Sequence, residues 1–378
     1  MKLYEYEAAE IFARIGIPIP GELTASTPED AVTSAQQLGY PVVIKAQVLT
    51  GGRGLAGGVK KASTPSETIA AAESIFSARI NGLAVEKVLV SSKIEIMKEL
   101  YLGITVDGDK GQPIVAASSE GGMSIEEVAR TSHAKISSLH VDIARGLLAF
   151  EARKLLVRSN FPSRQMPAVA DVLVKLYRVF RRYNALIAEI NPLAVRPDGS
   201  VIAVDAKLEI DDSALYRMEN RFPGSRERTV NPLEKKGREI GVTYVDLDGE
   251  IGLISSGAGL GMATMDIIGR KLRPANFLET GGGITEELLY RTMELMMMKP
   301  GLRAIFINLY GGINPIHEGA KGIVRYIREH GVAIPIVAKA LGNRQEETWE
   351  ILRSGGVHVV TETATEKAVE KLFALLGV

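Results

Sequence analysis

The chain has 378 residues, 46% of them hydrophobic and 24% charged, with Lys plus Arg and Asp plus Glu balanced at 45 each. That length and balance predict two or three well-packed domains and exclude a disordered or fibrous protein, and the neutral net charge gives no argument for a nucleic-acid or membrane partner. With no cysteine, disulfides, thiolate nucleophiles and Cys-ligated metals are excluded, which suits a reducing compartment.

In chain order, residues 3–15 read as a helix ended by Gly16, and Ile17-Pro18-Ile19-Pro20 must then be extended. The early charges Lys2, Glu5, Glu7 and Glu10 do not fit a secretion signal, and no later run approaches membrane-spanning length, so the cytoplasm is the expected location. Thr27, Pro28 and Asp30 open a second helix that Gly39 closes. Residues 41–48 follow as a strand in which Lys45 lies between apolar neighbours.

Residues 51–58, Gly-Gly-Arg-Gly-Leu-Ala-Gly-Gly, are the densest glycine cluster. They contain Gly52-x-Gly54-x-x-Gly57, but the dinucleotide fingerprint needs a helix directly afterwards, and 59–62 looks extended, with the next helix starting at Thr64-Pro65. Kinase and Walker A readings fail for want of their companion motifs. What remains is a glycine loop whose N–H groups can approach phosphates closely, with Arg53 and Lys45 adding charge. The alternative is a mobile surface turn, for which five of eight positions as glycine in 51–58 is a costly solution.

Strands are expected at 87–90, 99–106 and 113–118, and helices at 125–131, 144–159 and 169–184. Two β-branched runs, 186–195 and 201–210, flank Pro197-Asp198-Gly199 and read as a hairpin. Pairing Arg196 with Ser200 sets Asn191 opposite Asp205 and Glu189 opposite Lys207, all on one face. A carboxylate and an amide oxygen at that separation can share a hard cation such as Mg²⁺. An ordinary hairpin with one wet face shows the same alternation. Residues 211–236 are charged and weakly periodic and read as a connector.

From Val242 onward, five strand–turn–helix units repeat, with glycine turns at 257–261, 281–283, 311–312 and 342. Alternating units of this kind predict a doubly wound parallel sheet whose ligand loops gather at the carboxyl ends of the strands, and several glycine turns opening helices make a candidate anion site. The five histidines, at 133, 140, 317, 330 and 358, lack metal-ligand spacing, and His317 stands out solely for its place near the Gly311-Gly312 turn.

The segments Glu5-Tyr-Glu-Ala, Lys45-Ala-Gln, Gly51-Gly-Arg-Gly, Lys98-Glu-Leu-Tyr-Leu-Gly103, Glu120-Gly-Gly, Glu189-Ile-Asn-Pro-Leu193, Asp205-Ala-Lys207, Gly257-Ala-Gly-Leu, Ala275-Asn-Phe-Leu and Gly281-Gly-Gly resemble, in order and spacing over essentially the whole chain, the β subunits of succinyl-CoA synthetase (succinate–CoA ligase, ADP- or GDP-forming). The resemblance implies an ATP-grasp nucleotide-binding domain, α+β and mainly antiparallel, over 1–235, and a flavodoxin-like doubly wound α/β CoA-ligase domain over 236–378. It implies ATP or GTP as substrate nucleotide, Mg²⁺, a small-molecule carboxylate, and an α-subunit partner in a heterodimer or α2β2 assembly. That partner would carry the phosphorylated histidine and most of the CoA site. By position, Lys45, Gly52, Arg53, Gly54 and Glu99 would contact nucleotide phosphates, and Asn191 and Asp205 would ligate Mg²⁺. Glu189 would approach the phosphohistidine, and Ser256, Gly312, Ile313 and Asn314 would bind the carboxylate.

Several positions depart from the family pattern. Ser91 stands for a Glu near the ribose, Leu55 for a Lys in the glycine loop, Ser256 for an Asn, and Asn314-Pro-Ile-His317 for an Arg-Cys-Asp type of sequence. Malate-CoA and citryl-CoA ligase large subunits, which share the architecture, and a non-catalytic nucleotide-binding subunit are the alternatives these departures raise.

Overall fold

The computed structural model describes residues 1–122, 136–161, 163–218 and 231–378. The expected helix at 125–131 and His133 lie outside the described residues. Packing divides the chain into two compact units, Met1–Ser225 and Arg226–Val378.

The described residues of the first unit form a four-stranded sheet, a six-stranded sheet and a two-stranded pair. Helix α1 (Glu5–Arg14) precedes strand β1 (Glu22–Ala25), helix α2 (Pro28–Leu38), strands β2 (Val42–Ala46) and β3 (Val59–Ala62), and helix α3 (Pro65–Phe76). Thr27 and Thr64 cap α2 and α3 by accepting from Asp30 N and Glu67 N, each followed by Pro in the first turn. The short pair β4 (Arg79–Ile80) and β5 (Leu83–Ala84) leads to β6 (Val88–Ser92), and the four-stranded sheet runs β1-β6-β2-β3, all antiparallel. β1 was missed in the sequence because Glu22-Leu-Thr-Ala25 is too short to show a period; its partner β6 defines it.

The second sheet is built from β7 (Lys98–Asp107), β8 (Gln112–Ser118), β9 (Ile136–His140), β10 (Ala185–Val195), β11 (Val201–Ala203) and β12 (Lys207–Ile210), with helices α4 (Ala149–Arg158) and α5 (Met166–Arg182). α5 packs Val169, Leu173, Leu176 and Phe180 into one core with Leu102, Ile104 and Ile190. The hairpin register is the one the turn predicts: Val195 pairs with Val201, Leu193 with Ala203 and Glu189 with Lys207. Asn191 and Asp205 lie between these pairings.

The second unit begins with α6 (Pro232–Ile240), where a connector was expected. Asn231 caps it from Leu233 N and Glu234 N, and Pro232 occupies the first turn, a start signal overlooked among the charges. The sheet comprises β13 (Thr243–Asp246), β14 (Ile251–Ser255), β15 (Asn276–Glu279), β16 (Ala304–Gly311), β17 (Ile336–Gly342) and β18 (His358–Val360), ordered β13-β15-β14-β16-β17-β18. Five strands are parallel, and β13 adds an antiparallel edge that the repeat pattern did not reveal. The connecting helices are α7 (Ala258–Ile268), α8 (Glu286–Met297), α9 (Ile316–His330), α10 (Gln345–Ser354) and α11 (Thr365–Leu376). Side-chain alternation along β16 sends Ile305, Ile307 and Leu309 to the core under α8 and α9, and Ala304 and Phe306 to the one under α7 and α11.

Candidate functional site

In the first unit the charged site grows from the buried end of β2. Lys45 is 6% exposed, and its Nζ donates to Glu5 Oε1 and to Val204 O, both at 2.7 Å. Val204 lies in the gap between β11 and β12, past the last residue of the β10–β11 pairing and before the first of the β10–β12 pairing. Arg53, in the glycine loop, sends Nη1 to Glu5 Oε2 at 2.7 Å and Nη2 to Asp205 Oδ1 at 2.9 Å. One carboxylate in the first turn of α1 thus spans both cations, and Gln47 Nε2 reaches the same Glu5 Oε2 at 3.3 Å.

This arrangement sets the charge states. Burial pushes the Glu5 carboxyl up, but Lys45 and Arg53 outweigh it and hold it down at about 2. Burial likewise opposes charge on Lys45, and Glu5, Glu22 and Asp205 raise it nonetheless. Crowding away from water, then the Glu5 charge, push Asp205 up against the pull of Arg53 and Lys45. Glu22, 3.6 Å from Lys45 Nζ and accepting from Ser91 Oγ at 3.1 Å, is raised by burial to about 7.

Glu99 and Asn191 meet at the turn after β8. Gly122 N donates to Asn191 Oδ1 at 2.8 Å, and a Cβ at Gly122 would collide with Glu99 Oε2. Glu189 lies 3.7 Å from Lys207 Nζ. In the glycine loop Ala56 N donates to Gly52 O at 3.1 Å and Gly58 N to Arg53 O at 2.8 Å, while Gly52 and Gly54 face open space. Asp205 and Asn191 supply one carboxylate and one amide oxygen, the hard donors Mg²⁺ prefers. The Asp205 hydrogen bonds fall on Oδ1, and Asn191 Oδ1 accepts from Gly122 N. The donor set therefore fits the ion. Sequence reasoning overlooked Glu5 and Glu22; the available signal for Glu5 was a carboxylate on the apolar stripe with Ala8, Ala9 and Phe12.

In the second unit the strand order reverses between β14 and β16, the point where doubly wound sheets hold ligands. Ser256 follows β14, and its hydroxyl contacts Tyr310 N at 2.8 Å and Tyr310 O at 3.2 Å, tying the two strand ends together. Gly312, Ile313 and Asn314 follow β16. Ile313 is 94% exposed, and Asn314 Oδ1 lies 3.8 Å from where a Cβ on Gly282 would be. The four expected carboxylate residues thus gather at one edge. Among the described residues no cluster of three His, Cys, Asp or Glu side chains could hold a metal ion, and no helix is long and apolar enough to cross a membrane.

A glycine loop backed by buried cations in an antiparallel α+β unit is thus followed along the chain by a parallel unit with its candidate site at the switch point. Residues 2–195 match the ATP-grasp domain family and residues 254–373 the CoA-ligase family. The chain is 40% identical to the succinate–CoA ligase [GDP-forming] subunit beta of Thermus thermophilus, covering 100% of this chain and 99% of that protein. It is 42% identical to the succinate–CoA ligase [ADP-forming] subunit beta of Roseiflexus sp. (strain RS-1), covering 98% and 99%. ATP citrate lyase from Methanothrix soehngenii, solved with citrate and coenzyme A, shares the fold with a TM-score of 0.72 at 18% identity, covering 100% of this chain and 99% of that one. The chain belongs to the succinate–CoA ligase β-subunit family.

Proposed function

We propose that this chain is the nucleotide-binding subunit of an acid–thiol ligase that forms an acyl-CoA, with succinate as the reference acid, from carboxylate, CoA and a nucleoside triphosphate. The observation that carries this reading is the Glu5 carboxylate spanning Lys45 and Arg53, with Arg53 in turn on Asp205 of the hairpin. It prepositions two cations beside the two oxygen donors that would hold Mg²⁺. Lys45, Gly52, Arg53, Gly54 and Glu99 surround the nucleotide phosphates; Asn191 and Asp205 hold the ion, which when bound neutralises phosphate charge. Glu189 faces a phosphohistidine on an α-type partner, which also carries most of the CoA site. Ser256, Gly312, Ile313 and Asn314 hold the acid. Phosphoryl transfer needs positioning and charge neutralisation more than covalent chemistry from this chain. The domains divide after residue 235, and the complex is a cytoplasmic heterodimer or α2β2.

The test is to incubate the complex, co-purified with its partner, with γ-labelled ATP or GTP and Mg²⁺. Acid-labile label on the partner, abolished by Asp205→Ala and discharged by CoA plus a carboxylic acid, is the expected result. Bound nucleotide left intact, with neither chain labelled, would show a non-catalytic binding subunit instead.

A further inference from the structure

Helices α1 and α5 end side by side in the first unit, and both ends are basic. Arg14 is the last residue of α1, and Arg181 and Arg182 are the last two of α5. Lys175 Nζ donates to Gly16 O at 2.9 Å, which ties the turn after α1 to the flank of α5. The apolar positions of α5, among them Leu173, Leu176 and Phe180, are buried in the core. Lys175, Arg178 and Arg182 therefore fall on one outward stripe at i, i+3 and i+7, with Arg181 beside it. Arg14, Ile15, Arg178, Arg181 and Arg182 line a surface concavity of about 560 Å³.

Basic residues in the last turn of a helix ordinarily offset the negative end of its dipole, which is worth about half a charge. That account falls short here. Arg14 already pairs with Glu10, and Lys175 with Asp171 at 2.6 Å. Arg178, Arg181 and Arg182 make no hydrogen bond or ion pair among the described residues. Two helix ends take up about one of those three positive charges, which leaves about two unmatched. Packing does not require them, since all three side chains are exposed, and gathering like charges in one place opposes the compact state.

The concavity is separate from the cations at the nucleotide phosphates. Glu5, which spans Lys45 and Arg53, lies in the first turn of α1 and Arg14 in its last, about 14 Å apart along the axis at about 1.5 Å per residue. The guanidinium fork matches oxyanions, and the oxygens of a phosphate chain accept from several directions, whereas one carboxylate is filled by one or two forks. Guanidinium groups converging from two helices therefore suit an anion with more than one phosphate group. A volume of about 560 Å³ belongs to the range of small-molecule sites. The balance of 45 basic and 45 acidic residues gives no extended positive field for nucleic acid or a lipid surface.

We infer that the arginine concavity at the ends of α1 and α5 binds a small polyphosphate anion, either inorganic or the phosphate chain of a nucleotide, at a second site in the first unit. Arg178, Arg181 and Arg182 supply the free guanidinium groups, and Arg14 exchanges its exposed pair with Glu10 for the ligand.

The experiment is a calorimetric titration of the complex, co-purified with its partner, with tripolyphosphate at about 0.15 M ionic strength, where weak surface attraction is largely screened. Inorganic phosphate and ADP are titrated in parallel. The wild type should bind tripolyphosphate, and the double variant Arg178→Gln/Arg182→Gln should bind it at least about tenfold more weakly, the loss expected for even one charge-assisted contact. Its thermal midpoint should be unchanged, because both side chains are exposed and unpaired. An ADP-binding event that the double variant loses, tighter than tripolyphosphate, identifies a nucleotide as the ligand; tripolyphosphate binding without it identifies the inorganic chain. No binding by the wild type, equal binding by the double variant, or inorganic phosphate held as tightly as tripolyphosphate overturns the proposal. So does binding of a single-stranded oligonucleotide or of anionic phospholipid vesicles, lost in the double variant, by a complex that does not take tripolyphosphate.

Discussion

Glu5 Oε1 accepts from Lys45 Nζ at 2.7 Å across 40 residues of chain, and both side chains are almost fully buried. Glu5→Gln removes the charge that Lys45 and Arg53 share and leaves two buried cations poorly compensated. Removing one partner of a buried pair destabilises by about 3–5 kcal/mol. The expected outcome is a loss near the lower end, since Asp205 and Glu22 remain, read as a reduced urea midpoint with unchanged slope. Nucleotide affinity should fall as well. An unaltered midpoint would show that Glu5 does not organise the site.

The pH dependence of stability should carry two opposite slopes from this cluster. Glu5 is depressed from its usual 4.5 to about 2, so its contribution is present above 4.5 and lost as pH falls from there towards 2. Glu22 is raised from 4.5 to about 7, so the folded state holds a proton the unfolded chain has released, and stability falls as pH rises across that window. At about 1.4 kcal/mol per unit, the Glu22 effect reaches up to about 3 kcal/mol. Glu22→Gln should flatten the slope between pH 4.5 and 7 in chemical denaturation and leave the acid limb in place. A slope that survives the substitution belongs to another group.

Gly122→Ala tests the bridge between Glu99 and Asn191. Gly122 has φ +76, and an added Cβ would collide with the Glu99 carboxylate. The backbone strain costs about 1–2 kcal/mol, and Glu99 must move. Calorimetric titration should show nucleotide affinity in Gly122→Ala falling at least as far as in Glu99→Gln. Wild-type affinity would separate this turn from the nucleotide site.

A purely structural control lies at Gly322 of α9, where a Cβ would collide with the Glu286 carbonyl of α8. Backbone cannot yield as a side-chain tip does, so Gly322→Ala should destabilise the second unit by about 1–3 kcal/mol. Thermal unfolding should show the loss, while nucleotide binding below the transition is retained.

The hairpin register was legible in the sequence because two local rules fix it. The length of the turn at Pro197-Asp198-Gly199 sets the register, and the two-residue side-chain period sets the face, so Glu189 opposite Lys207 followed without reference to the rest of the molecule. The switch-point edge of the second sheet was legible for a similar reason. Short apolar strands alternating with glycine turns specify a doubly wound sheet, and its carboxyl edge gathers Ser256 and Asn314. The edge strand β13 and helix α6 were not legible, one being too short for a period and the other hidden in a charged run.

By itself, then, the sequence determined the order of units, the hairpin register, the glycine loop and the edge on which the second site lies, all properties of residues near one another along the chain. Only the tertiary structure decided which charges meet: Glu5 with Lys45 and Arg53, Glu22 with Ser91, and Arg344 with His317. Partners this far apart leave no period or spacing to read. Their charge states follow from burial and from the sign of the nearest neighbour, quantities that exist only once the chain has packed.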